Sequence, residues 1–128
     1  MLQANMPNLQ LQCCSTVNVF NVMYLEELST WHSLVKFDFV YWNMLHEAFY
    51  FSIGTLPEKT KYYVQRKLEN TYAADSVKNE FTKIIQFMMQ GESLDGTLLK
   101  EKIKEVDHRR NQRLQDHHQE FALAINYE

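Results

Sequence analysis

Charge is missing from the first 25 residues, where no side chain carries a formal charge before Glu26. Glycine and proline are scarce as well, at 3 and 2 of 128 residues, while hydrophobic residues make up 45% and aromatics 13%. That composition excludes a low-complexity or disordered chain and gives enough apolar mass for one packed core. The charge-free start is expected to be neither an export signal nor a membrane span. It has no basic leader, and amides interrupt it at Gln3, Asn5, Asn8, Gln10, Gln12, Asn18 and Asn21. Cysteine is limited to Cys13 and Cys14. Adjacent thiols are poorly placed to bond each other without straining the backbone, so a structural disulfide is not expected and a reducing, cytoplasmic setting is. The net charge of -3, with a pI near 5.9, argues against a surface built for nucleic acid.

Along the chain, periodicity divides the molecule in two. Residues 9 to 21 alternate, with Leu9, Leu11, Cys13, Val17 and Val19 on one side and Gln10, Gln12, Thr16 and Asn18 on the other, which predicts a strand. Leu25, Leu28, Trp31 and either Leu34 or Val35 then recur at helical spacing, predicting a helix over 22–35. Glu26 and Glu27 stand in its first turns, where the dipole favours carboxylates. FDFVYWNML, residues 37–45, reads as a strand covered on both faces, so the first half forms a βαβ unit. AFYFSI, residues 48–53, reads as a further extended piece.

Beyond Gly54 the pattern is helical. Thr55-Leu56-Pro57-Glu58 fits a capping box ahead of a helix over 57–70 with an apolar stripe of Tyr63, Val64 and Leu68. Residues 75–90 carry Val77, Phe81, Ile84, Ile85, Met88 and Met89 on one broad face. GESLDG, residues 91–96, ends that helix. A last helix from about residue 97 presents Leu99, Ile103, Val106 and Leu114. No repeat and no linker marks a second domain. The expected organisation is one domain over 1–128, with strands and a crossover helix in 1–54 and a helical region in 55–128.

Chemistry-bearing residues are few. Cys13 and Cys14 lie on opposite faces of a strand and cannot easily share a metal, so they read as small, mostly buried strand residues. His108, His117 and His118 fall in HRRNQRLQDHHQE, where His108 and His117 are too far apart on one helix to meet at an ion. Lys100, Lys102, Lys104, Arg109, Arg110 and Arg113 alternate with Glu101, Glu105 and Asp107, which predicts intrahelical pairs on a solvated face. No H-E-x-x-H, G-x-S-x-G or glycine-rich phosphate loop is present. The more suggestive group is Asn21, Asn43, His46 and Glu47, because the first ends one predicted strand and the others end the second. In parallel sheets the carboxyl ends of strands face the ligand. The competing reading is local: Asn21 caps a helix, and Asn43 and His46 bond nearby backbone.

Three stretches carry a resemblance: TVNVFNVMYLEELSTW (16–31), DFVYWNMLHEAFYFSIGTLPEKTKYYV (38–64) and KEVDHRRNQRLQDHHQEFA (104–122). In this order they resemble the C-terminal portion of radical SAM proteins of the twitch-domain type. The resemblance implies an α/β fold that is a fragment of a partial (β/α) barrel, two to three late strands followed by a helical C-terminal region. Asn21, Asn43 and His46 would be substrate-side residues at the barrel mouth. It also implies S-adenosylmethionine and a four-iron four-sulfur cluster for the complete family protein, held by a CxxxCxxC loop that this sequence lacks. The expectation is a chain without radical chemistry of its own, whose partner is a missing N-terminal radical SAM half or a second copy of itself. The other expected role is a small interaction module using an aromatic-rich surface.

Overall fold

The computed structural model describes residues 9–128; the first eight residues of the expected 1–54 part lie outside the described residues. Strand β1 spans Gln12–Val17 and β2 spans Phe39–Met44. They run parallel, with Gln12 opposite Phe39, Ser15 opposite Trp42, Thr16 opposite Asn43 and Val17 opposite Met44. Parallel strands need a crossover. Here it is a 3-10 turn, Val22–Tyr24, running into helix α1, Leu25–Val35, which ends where Lys36 takes a left-handed conformation (φ 61°). The rest is helical: α2 Glu58–Glu69, α3 Asp75–Gln90, α4 Thr97–Arg110, α5 Leu114–His117 and α6 Gln119–Ala124. The α/β class is therefore observed, with a two-stranded sheet among the described residues.

The alternation read from the sequence sorts the sheet into two unlike faces. Ser15 and Val17 of β1 are buried, and Cys13 with Val40, Trp42 and Met44 of β2 is half-buried on the same side. Gln12, Cys14, Thr16, Phe39, Tyr41 and Asn43 are exposed on the other. The expected burial of β2 on both faces is thus corrected. Its aromatic run is continuous, but only alternate residues meet helices, so Phe39 (48%) and Tyr41 (49%) remain open to solvent. Cys14, expected to be mostly buried, is exposed for the same reason.

Other elements depart locally from their patterns. β1 stops at Val17, because Asn18 draws the chain into a turn: its Oδ1 accepts from the amides of Phe20 and Asn21 (2.9 and 3.2 Å), and its own amide donates to Asn21 Oδ1 (2.9 Å). Helix α1 buries Leu25, Ser29 and His32, whereas Trp31 (48%) and Leu34 (74%) face outward. Residues 49–51 and 53–55 form two 3-10 turns instead of a strand. The Thr55 hydroxyl donates to the carbonyls of Phe49 and Ser52, so the capping box ahead of α2 does not form. On α2 it is Thr60, Lys61, Val64 and Leu68 that are buried, while Tyr63 is exposed.

Helix α3 occupies the range its periodicity predicts, and Phe81, Ile84, Ile85 and Met88 form its buried face. They join one cluster of buried residues reaching from Val17 to Tyr127. Two polar anchors tie the helices together. The Lys61 ammonium, on a residue only 2% exposed, donates to the Gly91 carbonyl (2.9 Å), and the Thr60 hydroxyl donates to the Ala124 carbonyl (3.1 Å). At the end of α3, Gly91 packs so tightly on Gly54 that a Cβ on Gly91 would lie 2.7 Å from the Gly54 carbonyl carbon. That contact seats the second 3-10 turn on α3.

Candidate functional site

The residues expected at the mouth of the sheet do not gather into a pocket. Asn21 folds back, its side-chain amide donating to the Thr16 carbonyl (2.8 Å), and it packs into the turn begun by Asn18. Asn43 stands opposite Thr16 in the register, so both asparagines adjoin the carboxyl end of β1. Its side chain lies on the open face, however, where its amide contacts Cys14 Sγ. His46 turns elsewhere. It stands edge-on to Phe87 (5.4 Å between ring centres) at a shallow cleft of about 420 Å³ bordered by Phe49, Gly54, Gly91 and Leu94. Glu47 is exposed and lines none of the clefts described here.

A polar chain that the periodicity did not flag runs beneath the other face of the sheet. Ser15 Oγ and His32 Nε2 are hydrogen-bonded at 2.9 Å, and Cys13 Sγ lies 3.5 Å from the same hydroxyl. Burial lowers the His32 pKa below the ordinary histidine value. The ring is held among Trp31, Phe37 and Trp42, at 5.6, 6.0 and 5.1 Å, with none of its hydrogen bonds made to a carboxylate. A serine–histidine pair activates a nucleophile when a third group orients the base and substrate reaches the hydroxyl. Here aromatic rings replace the orienting acid and Ser15 is 8% exposed. The pair therefore pins α1 to β1 and satisfies two buried polar groups.

The third place is a cleft of about 600 Å³ between the end of α4, the start of α5 and the first turns after β1. Its lining combines Phe20, Phe51, Ile103, Val106 and Leu114 with Asp107, Arg110, Gln112, Arg113, His117 and His118. The predicted last helix does not continue to Leu114. Asn111 adopts a left-handed conformation (φ 51°), and the Asp107 carbonyl accepts from the Gln112 amide (3.0 Å). Asp107 Oδ2 accepts the Leu114 amide (3.1 Å) and the Tyr127 hydroxyl (2.8 Å), which locks the reversal. Burial and this carboxylate push the Tyr127 pKa up to about 12, so the phenol stays a donor. The intrahelical pairing expected here is observed at Lys102–Glu105 (3.6 Å, three residues apart). Arg110 and Arg113 are exposed and make no ion pair among the described residues.

Among the described residues no group of three or more histidine, cysteine or acidic side chains could hold a metal ion, and no helix is long and apolar enough to cross a membrane. Nor does the cysteine pair fit an iron-sulfur cluster, since such clusters are held by several thiolates directed at one site and these two leave β1 on opposite faces. No family model, no curated protein and no solved structure matches the chain.

Proposed function

We propose that this chain works by docking, as the C-terminal piece of a larger α/β protein of the radical SAM type that its sequence resembles. In this reading the partner, an N-terminal radical SAM half, adds parallel strands to β1 or β2 and covers the open face. S-adenosylmethionine and the four-iron four-sulfur cluster belong to that half, and this chain contributes wall. The observation that carries the reading is the sheet itself. Parallel sheets are ordinarily covered on both faces, yet here Phe39 and Tyr41 stack outward, 6.3 Å apart and 23° from parallel. Exposed aromatics beside unpaired strand edges favour association.

A second reading has the same face making the chain a free-standing interaction module, including with copies of itself. The test is co-expression with the product of a neighbouring CxxxCxxC-containing reading frame, alongside light scattering of the chain alone. A stoichiometric complex that is lost in Phe39→Ser/Tyr41→Ser supports the docking piece. Self-association lost in the same variant, without such a complex, supports the module. A monodisperse monomer that captures nothing refutes both.

A further inference from the structure

We propose that the cleft between α4 and α5 is a binding site for a small organic anion, a phosphate or carboxylate attached to a flat apolar body. Two features of the cleft point the same way. Its polar rim holds two guanidiniums, Arg110 and Arg113, against one carboxylate, and Asp107 already accepts two hydrogen bonds through Oδ2. This positive rim sits on a protein of net charge -3, so it departs from the overall balance. Guanidinium forks match the paired oxygens of phosphate and carboxylate, and charge-assisted bonds of this kind are about twice as strong as neutral ones.

The cleft also has an apolar wall. Phe20 and Phe51 stand 5.1 Å apart between ring centres at 56°, backed by Phe121 at 5.9 Å from Phe20, and Ile103, Val106 and Leu114 complete the surface. An inorganic anion would use the rim and leave this wall wet, whereas an anion carrying a ring would use both. At about 600 Å³ the cleft falls in the size range of small-molecule sites. It is also preformed. The Asn111 reversal brings residues on either side of the helix end, Arg110 and Arg113, to one cavity, and the Asp107 bonds to Leu114 and Tyr127 hold it in place. His117 and His118 add ring N–H donors on the same rim, with His118 packed 5.4 Å from the Tyr24 ring.

The probes are 1-naphthyl phosphate, neutral 1-naphthol and inorganic phosphate, titrated by calorimetry against the full chain, with amide chemical shifts recorded in parallel. The expected result is that 1-naphthyl phosphate binds at least about tenfold more tightly than either of the others. Its shifts should centre on Phe20, Phe51 and residues 103–118. Arg110→Gln/Arg113→Gln, a change at two exposed positions, should lower that affinity by about tenfold or more, while Arg109→Gln, outside the cleft, leaves it unchanged. Equal binding of 1-naphthol, an unaffected double variant, shifts centred elsewhere, or no binding at about 10 mM would each overturn the proposal.

Discussion

Replacing Gly91 by alanine probes the close approach of its backbone to Gly54. Gly91 has φ -73° and ψ 158°, a conformation any residue adopts, so loss of backbone freedom cannot be the source of damage. By conformation alone the substitution would stabilise the fold by about 0.4–1 kcal/mol. Against that, the new Cβ would lie 2.7 Å from the Gly54 carbonyl carbon and closer still to that residue's Cα and oxygen. These are backbone atoms with no rotamer to give, so α3 and the turn at 53–55 must part by about 1 Å to reach ordinary contact, an overpacking cost of about 1–3 kcal/mol. The same movement pulls the Gly91 carbonyl from the Lys61 ammonium, and leaving that buried donor unpaired costs about 1–3 kcal/mol more. The net expectation is a loss of about 2–4 kcal/mol, read as a drop of about 1–2 M in the urea midpoint by circular dichroism. Gly54→Ala is the internal control, because its Cβ would meet Gly91 Cα at 3.3 Å, tight but not forbidden, and should cost about 1 kcal/mol or less. Gly91→Ala within about 0.5 kcal/mol of the parent, or milder than Gly54→Ala, would refute the reasoning.

Two pH limits follow from buried groups. His32 has its pKa lowered by burial, so the unfolded chain binds a proton that the folded chain resists, and stability should fall as pH drops below about 6.5. Urea midpoints at pH 7.5 and 5.0 would show this, and His32→Gln should flatten the difference; a parent as stable at pH 5.0 as at 7.5 would contradict it. Tyr127 has its pKa raised to about 12. The unfolded chain therefore loses its proton first, and stability should fall as pH rises from about 10 to 12, by about 1–2 kcal/mol after discounting for a hydroxyl that is only part-buried. Tyr127→Phe should remove that alkaline loss, and an unchanged loss would assign it to other groups.

What was legible in the sequence depended on whether a pattern was local. Helix α3 could be read residue by residue, because one broad apolar face over sixteen positions has few alternatives. The parallel pairing followed from a strand, a helix and a strand in succession. Helix α1 was legible as a helix but its buried face only in part: of Leu25, Leu28, Trp31 and either Leu34 or Val35, Leu25 is buried and Leu28 packs on the core, whereas Trp31 and Leu34 are exposed and the buried face also bears Ser29 and His32. A serine and a histidine carry no hydrophobic signal. Their burial is compensated by Ser15, seventeen residues from His32, and by the Trp42 ring. The segment 48–53 was misread because its aromatic residues have strand propensity, whereas the fold spends them on two tight turns pressed against α3 and α4.

The candidate sites divide along the same line. Asn21 and Asn43 were found by counting to the ends of predicted strands, and both do adjoin Thr16. A shared edge is not a shared direction, since the Asn43 side chain points across the open face to Cys14 while Asn21 turns back to backbone. The cleft at Arg110 and Arg113 depended instead on a break that periodicity could not place, because Leu99, Ile103, Val106 and Leu114 extrapolate smoothly through it. The available signal was the polar run Asn111-Gln112-Arg113 after three consecutive basic or imidazole residues, a composition that favours a helix C-terminus. Had the helix continued, Asp107 would have had its carboxylate free to pair with Arg110 at a spacing of three, while Arg113 would have turned to another side of the helix. The reversal commits the Asp107 carboxylate to Leu114 and Tyr127, and among the described residues the two guanidiniums make no ion pair.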